Sequence, residues 1–224
     1  MIVTESKICL PAYKLAYSLC FVLILSLVWG ISYSFEIGVA MEAPVSLLAV
    51  VFCSDTYTQE ITSKRSEIQR LYPMKKRLAS MGIRMILQEI VLFALSAIGY
   101  GMFYCFQHPQ PLYDTGQSTE SELQMFFIFL AVMAVTLCFW GILSNFLACL
   151  FRNMWVSIGC GVMLWLAANS ILGKKVLGNW NLFSYSFRNV MDSRDFGWLY
   201  GKTLCLILSV LMALLMPKII RKRG

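Results

Sequence analysis

The residues best suited to chemistry in this sequence lie between Thr58 and Arg84, in the stretch TQEITSKRSEIQRLYPMKKRLASMGIR. Glu60 and Lys64 stand i, i+4 in the order that favours a helical ion pair, and Glu67 with Arg70 stands i, i+3. Ile61, Ile68, Leu71 and Tyr72 fall on one face of the helix predicted over 59–72, and Pro73 stops it. The chemistry of such a segment is recognition, because it offers an apolar stripe rimmed by charge. Periodicity alone allows a helix lying in solvent or on lipid headgroups, or a docking surface for a cytoplasmic partner.

Three further polar residues interrupt apolar runs. Glu89 falls six residues after Ile83, about 9 Å along a helix at 1.5 Å per residue. It sits either at headgroup level or facing the interior, paired with a base. A charged group inside a span is expensive and is by default a functional candidate. Asn145 and Asn169 are uncharged and read as hydrogen bonds between helices before they read as substrate ligands. Glu42, Asp55 and Lys202 lie near the ends of apolar runs and are expected to reach the interface. Enzymatic constellations are not evident. With one histidine, His108, placed beside Pro109 and Pro111 in a turn, neither a His-based metal site nor a catalytic dyad is expected. The eight cysteines contain no CxxC pair, lie mostly in apolar runs and read as packing residues with free thiols. No G-x-x-x-x-G-K-[ST] phosphate loop is present, so no nucleotide cofactor is assigned to this chain.

The elements that must position these residues follow from composition. Of 224 residues, 58% are hydrophobic and only 14% charged, which is too much apolar surface for a soluble domain of this length to bury. The mean hydropathy of +0.68 agrees. An all-α, polytopic membrane protein is expected, one transmembrane domain over residues 1–224. Six spans are predicted, at about 17–35, 38–57, 83–106, 125–150, 154–172 and 198–216, with a cytoplasmic loop over 58–82. The first run is long, begins after residue 15 and lacks an A-x-A-like cleavage site, so it reads as a retained helix. The preceding Lys7–Lys14 suits a short interfacial helix. Trp180, Phe183, Tyr185 and Phe187 suit a segment lying in or dipping into the outer interface before the last span. Gly99-Tyr100-Gly101 and Gly159-Cys160-Gly161 read as close helix packing.

The net charge of +7 becomes informative once the bases are placed. Fourteen of nineteen fall before the first span, in the 58–84 region, at Arg152 and after the sixth span; Lys174, Lys175, Arg188, Arg194 and Lys202 fall on the other side. The positive-inside rule then puts both termini in the cytoplasm. It also accounts for the basic balance without nucleic acid as a partner. A five-span arrangement with 174–197 on the cytoplasmic side is the alternative.

Glu60, Glu67, Pro73, the basic cluster after it and Arg84 together resemble the cytoplasmic loop of ABC-2-type transporter permeases. In that family the pattern is E…(G)T-x-E-x-L-x-x-x-P, followed by bases and a lysine entering the third span. Lys64 and Arg65 stand where the family often has Gly-Thr, and Arg84 stands in place of the lysine. The layout agrees across most of the chain: an interfacial N-terminal helix, six spans, a coupling loop after the second and a dipping segment before the sixth. The resemblance implies a plasma-membrane permease subunit that pairs with a second permease chain, identical or homologous. It would dock on separate ABC ATPase subunits, which bind the ATP and Mg, through Glu60, Ile61, Lys64, Glu67, Ile68, Leu71, Tyr72 and Pro73. Export of an amphipathic peptide, a drug-like or a lipid-linked molecule is the implied direction. The alternative is a non-transporting assembly or immunity protein whose 60–73 helix binds another partner.

Overall fold

The computed structural model describes residues 2–62, 73–111, 121–187 and 196–223; among them the protein is all-helical, without a strand. We number the helices α1 (Ile2–Cys9), α2 (Ala12–Val28), α3 (Glu36–Cys53), α4 (Asp55–Thr62), α5 (Met74–Gln107), α6 (Glu122–Phe151), α7 (Met154–Asn169), α8 (Ile171–Leu177) and α9 (Gly197–Arg223). Four are long and apolar enough to cross a membrane: α3 running on into α4, α5, α6 and α9. The bent pair formed by α7 and the segment after it makes a fifth if the pair counts as one span.

Helix ends explain where the predicted spans shift. The expected first span, 17–35, is instead a 17-residue helix that begins at Ala12, after Pro11, and stops at Val28. At 1.5 Å per residue it is about 25 Å long, short of a hydrocarbon core of about 30 Å. Its last carbonyls would be orphans, and the Gln107 side chain of α5 takes them: Nε2 donates to the carbonyls of Ser26 at 2.6 Å and Trp29 at 2.7 Å. Lys14 therefore belongs to the first turn of α2, and the helix before it, α1, ends at Cys9. The expected loop over 58–82 is shorter than predicted, because α4 covers its first residues and α5 starts at Met74. At 34 residues and about 51 Å, α5 is longer than a hydrocarbon core of about 30 Å. The hairpin between α6 and α7 is made by Arg152 in the left-handed region (φ 55°) and by Asn153, whose side chain accepts the Trp155 N–H at 2.9 Å.

The break after α7 is built the same way. Ser170 caps α8 by accepting the Gly173 N–H at 3.0 Å, and the chain bends by 72°. Any Cβ at position 173 would lie 2.2 Å from the Ala167 carbonyl oxygen, so only glycine fits the corner. Two 3₁₀ turns follow, Gly178–Trp180 and Ser184–Phe187. Phe183 and Tyr185 are buried in the bundle, while Trp180 is half exposed. Phe183 stacks on Trp140 of α6, ring centroids 5.6 Å apart.

At the centre stands α6, against which α3, α5, α7 and α9 all pack; α5 and α9 make little contact with each other. Helix α3 is the most enclosed of the candidate spans, 72% of its apolar window being buried. One glycine of each small-residue pair packs closely. A Cβ at Gly99 would meet Val22 and Met41 at 2.6 Å, and one at Gly161 would meet Val50 at 2.6 Å. Gly101 and Gly159 have nothing within 4 Å.

Candidate functional site

Asp55 opens α4 where α3 ends, and its carboxylate is held by Lys14 of α2 at 2.5 Å. Lys14 also donates to the Phe52 carbonyl at 3.0 Å, and its ammonium lies 5.1 Å from the Phe52 ring centre. One residue on, the Thr56 hydroxyl bonds Gln88 Oε1 of α5 at 2.7 Å. A third tie runs from α1 to α5, where Glu5 accepts from Ser80 at 2.7 Å and from Arg84 at 2.5 Å. The root of α4 is thus fixed to α2 and α5 by buried polar contacts. Of the residues predicted for docking, Glu60 and Ile61 lie on α4, and Pro73 is exposed at the start of α5. Lys64, Glu67, Ile68, Leu71 and Tyr72 lie outside the described residues.

Tyr57 of α4 clusters with Met81 of α5, Ala148 and Cys149 of α6, and Met216 and Ile220 of α9. Above this cluster α5 and α9 stand apart over α6 as the walls of a groove of about 530 Å³, into which Met81, Met216 and Ile220 also face. The lining is apolar except for Glu89, the one charged residue on it among the described residues. The Glu89 carboxylate fits a notch at Gly141, where a Cβ would fall 1.8 Å from Oε1. Its Oε2 is buried and has no hydrogen-bond partner. Glu89 is therefore buried and not paired with a base of this chain among the described residues.

Neither asparagine candidate lines the groove. Asn145 is buried, donates to the Gly141 carbonyl of its own helix at 3.0 Å and leaves Oδ1 without a partner. Asn169 ends α7, half-buried and remote in sequence and element from the groove. Interhelical bonds come instead from residues that the sequence did not single out: Ser144 to the Val50 carbonyl (2.7 Å), Ser157 to the Ser144 carbonyl (2.7 Å) and the Trp165 indole to the Ala43 carbonyl (2.9 Å).

Glu42 and Lys202 do not reach the interface. Both are buried, and they pair with each other between α3 and α9. Lys202 donates also to Thr136 of α6 at 2.8 Å and to the Leu182 carbonyl at 3.0 Å. Glu42 accepts from the Ser186 N–H at 3.1 Å and hydroxyl at 2.9 Å. The pair clamps the segment after α8 onto the bundle. Asp55 is likewise buried and paired rather than interfacial. His108 is exposed, in the left-handed region at the end of α5, as expected of a turn. The eight cysteines are unpaired, and no group of metal-ligating side chains assembles among the described residues. No protein-family model, no curated protein and no solved structure matches this chain.

Proposed function

We propose that this chain is the permease subunit of an ATP-driven ABC-type transporter, exporting an amphipathic substrate by alternating access. We count α2 as a short first span, giving six, with both termini in the cytoplasm of a plasma-membrane protein. Separate ABC ATPase subunits dock on the loop that continues α4, and a second permease chain completes the assembly.

The observation that carries the reading is the connection from α4 to the groove. Tyr57 belongs to one buried cluster with Met81, Met216 and Ile220, which also line the groove. The same helix is tied at its root to α2 and α5 through Asp55 and Thr56. A push on α4 from outside the bilayer would move the walls of an apolar groove inside it. That is the mechanical link an exporter driven by a separate ATPase requires, since packed helices shift between discrete arrangements rather than deform.

Affinity purification from the native membrane, followed by ATP-driven efflux in inverted vesicles, tests it. An ATP-binding subunit should co-purify, and Tyr57→Ala should keep that subunit bound while efflux falls by about tenfold or more. Purification that never recovers an ATP-binding subunit would refute the permease reading and favour a non-transporting membrane protein.

A further inference from the structure

We propose that the groove between α5, α6 and α9 binds an amphipathic organic cation: an alkyl- or arylammonium compound whose body lies along the apolar walls and whose nitrogen reaches Glu89. The inference names the substrate class of the permease proposed above and rests on that reading.

Three observations point to a cation. First, the bases buried among the described helices already face other acids: Lys14 faces Asp55, Arg84 faces Glu5 and Lys202 faces Glu42. Glu89 lies in a groove with no Lys, Arg or His on its lining, and Oε2 has no partner. Second, one backbone hydrogen bond of the groove wall is missing. Pro217 has no N–H to give the carbonyl of Ala213 one turn earlier in α9, and both residues line the groove. Polar groups on these walls therefore ask for donors and positive charge, which an ammonium supplies and a fatty acid or a neutral lipid tail does not. Third, Phe93 lies one turn beyond Glu89 on the same wall, an aromatic ring beside which a cation is favoured.

The route in is lateral. Ile86 and Ile90 of α5 and Ala213 of α9, all on the groove, are exposed at span depth, so an amphiphile dissolved in the bilayer meets the opening directly. Because a membrane lipid tail would fill the walls but leave the carboxylate uncompensated at this depth, the acid selects for the charged head.

Equilibrium dialysis of radiolabelled dodecylamine tests the assignment, against the full chain in phosphatidylcholine/phosphatidylglycerol nanodiscs and empty discs, without ATPase or nucleotide. Saturable binding above the empty discs is expected. It should weaken by about tenfold or more in Glu89→Gln and resist competition by dodecanol and dodecanoate. Ala213→Phe, which narrows the opening without touching the acid, should also weaken it, and decides the matter if Glu89→Gln does not fold. Undiminished binding in the variants, or equal competition by dodecanol, would overturn the inference. Competition by phosphatidylethanolamine as strong as by unlabelled dodecylamine would also overturn it, by making the occupant a lipid. Absent binding fells this inference alone, whereas failure to recover an ATPase subunit fells the permease reading.

Discussion

Removing one partner of the Glu42–Lys202 pair should be among the most damaging single changes in this protein. In Lys202→Met the Glu42 carboxylate keeps the two Ser186 donors at 2.9 and 3.1 Å but loses its counter-charge, in a site where it is 0% exposed. Thr136 and the Leu182 carbonyl lose their donor as well. Breaking a buried pair costs about 3–5 kcal/mol, and a lone charge within a span about 2.5–3.5 kcal/mol. The surviving Ser186 bonds place the expected loss near the lower figure, about 3 kcal/mol. Glu42→Gln should cost a similar amount, because the ammonium is left with the Thr136 and Leu182 oxygens alone. The double variant removes both charges, while the amide oxygen introduced by Glu42→Gln can still accept from Ser186. It should therefore recover most of the loss, leaving about 1 kcal/mol. Reversible unfolding by SDS titration in mixed micelles, followed by tryptophan fluorescence, measures all three. Trp140 is stacked on Phe183 of the clamped segment, so its emission reports release of that segment directly. If either single variant costs under about 0.5 kcal/mol, or if the two single costs add in the double, the pair is not the clamp described here.

Two other changes probe the same architecture. Gly201→Val should detach the segment after α8, since a Cβ there would lie 2.0 Å from the Asn181 carbonyl oxygen and 2.4 Å from Ser184 Oγ. A loss of about 1–3 kcal/mol is expected in the same titration, against under about 0.5 kcal/mol for Gly159→Ala, which meets nothing within 4 Å. Burial pushes the Cys9 thiol above its ordinary pKa, so at neutral pH it holds less thiolate than a free cysteine and reacts more slowly. Peptide mass spectrometry after brief maleimide treatment in detergent should find Cys105, exposed near the end of α5, modified well before Cys9, and denaturation should abolish the difference.

Apolar run length made the helices legible. The runs over 125–150 and 198–216 correspond closely to α6 and α9, because a span of that length has no other stable conformation in lipid. Ends were less legible where tertiary contacts set them. In YSLCFVLILSLVWGISYSF the local stop signal is Gly30, just past the cap at Trp29, and what the stretch does not carry is the Gln107 side chain, far along the chain, that takes the freed carbonyls. Position near a run's end also misled for Glu42, Asp55 and Lys202. A snorkelling model treats each charge alone, but here their partners come from other helices, and pairing makes burial tolerable. Glu89 was legible as a candidate. What the sequence did not carry was the notch at Gly141 and the separation of α5 from α9, which turn a buried acid into the polar end of a groove.

The paired acids give the unpaired one its meaning. Helix α3 carries Glu42, and the turn that continues it carries Asp55; each takes a lysine from a different helix, α9 and α2. Thirteen residues separate the two acids, about 20 Å along a helix, so the two lysines fasten this enclosed element near both ends. The fold thus neutralises an acid in the apolar region when the acid's task is to hold helices together. No such contact satisfies Glu89 Oε2, although Arg84 stands only five residues away on the same helix, turned to Glu5. Beside it stand α5 and α9, two walls that share little contact and meet chiefly through a cluster that includes Tyr57 of α4. Even the two groove walls carry paired charges, Lys202 on α9 and Arg84 on α5. An acid kept for stability alone would be expected to have a partner of this kind, which is why the unpartnered oxygen of Glu89 in the groove argues for a ligand.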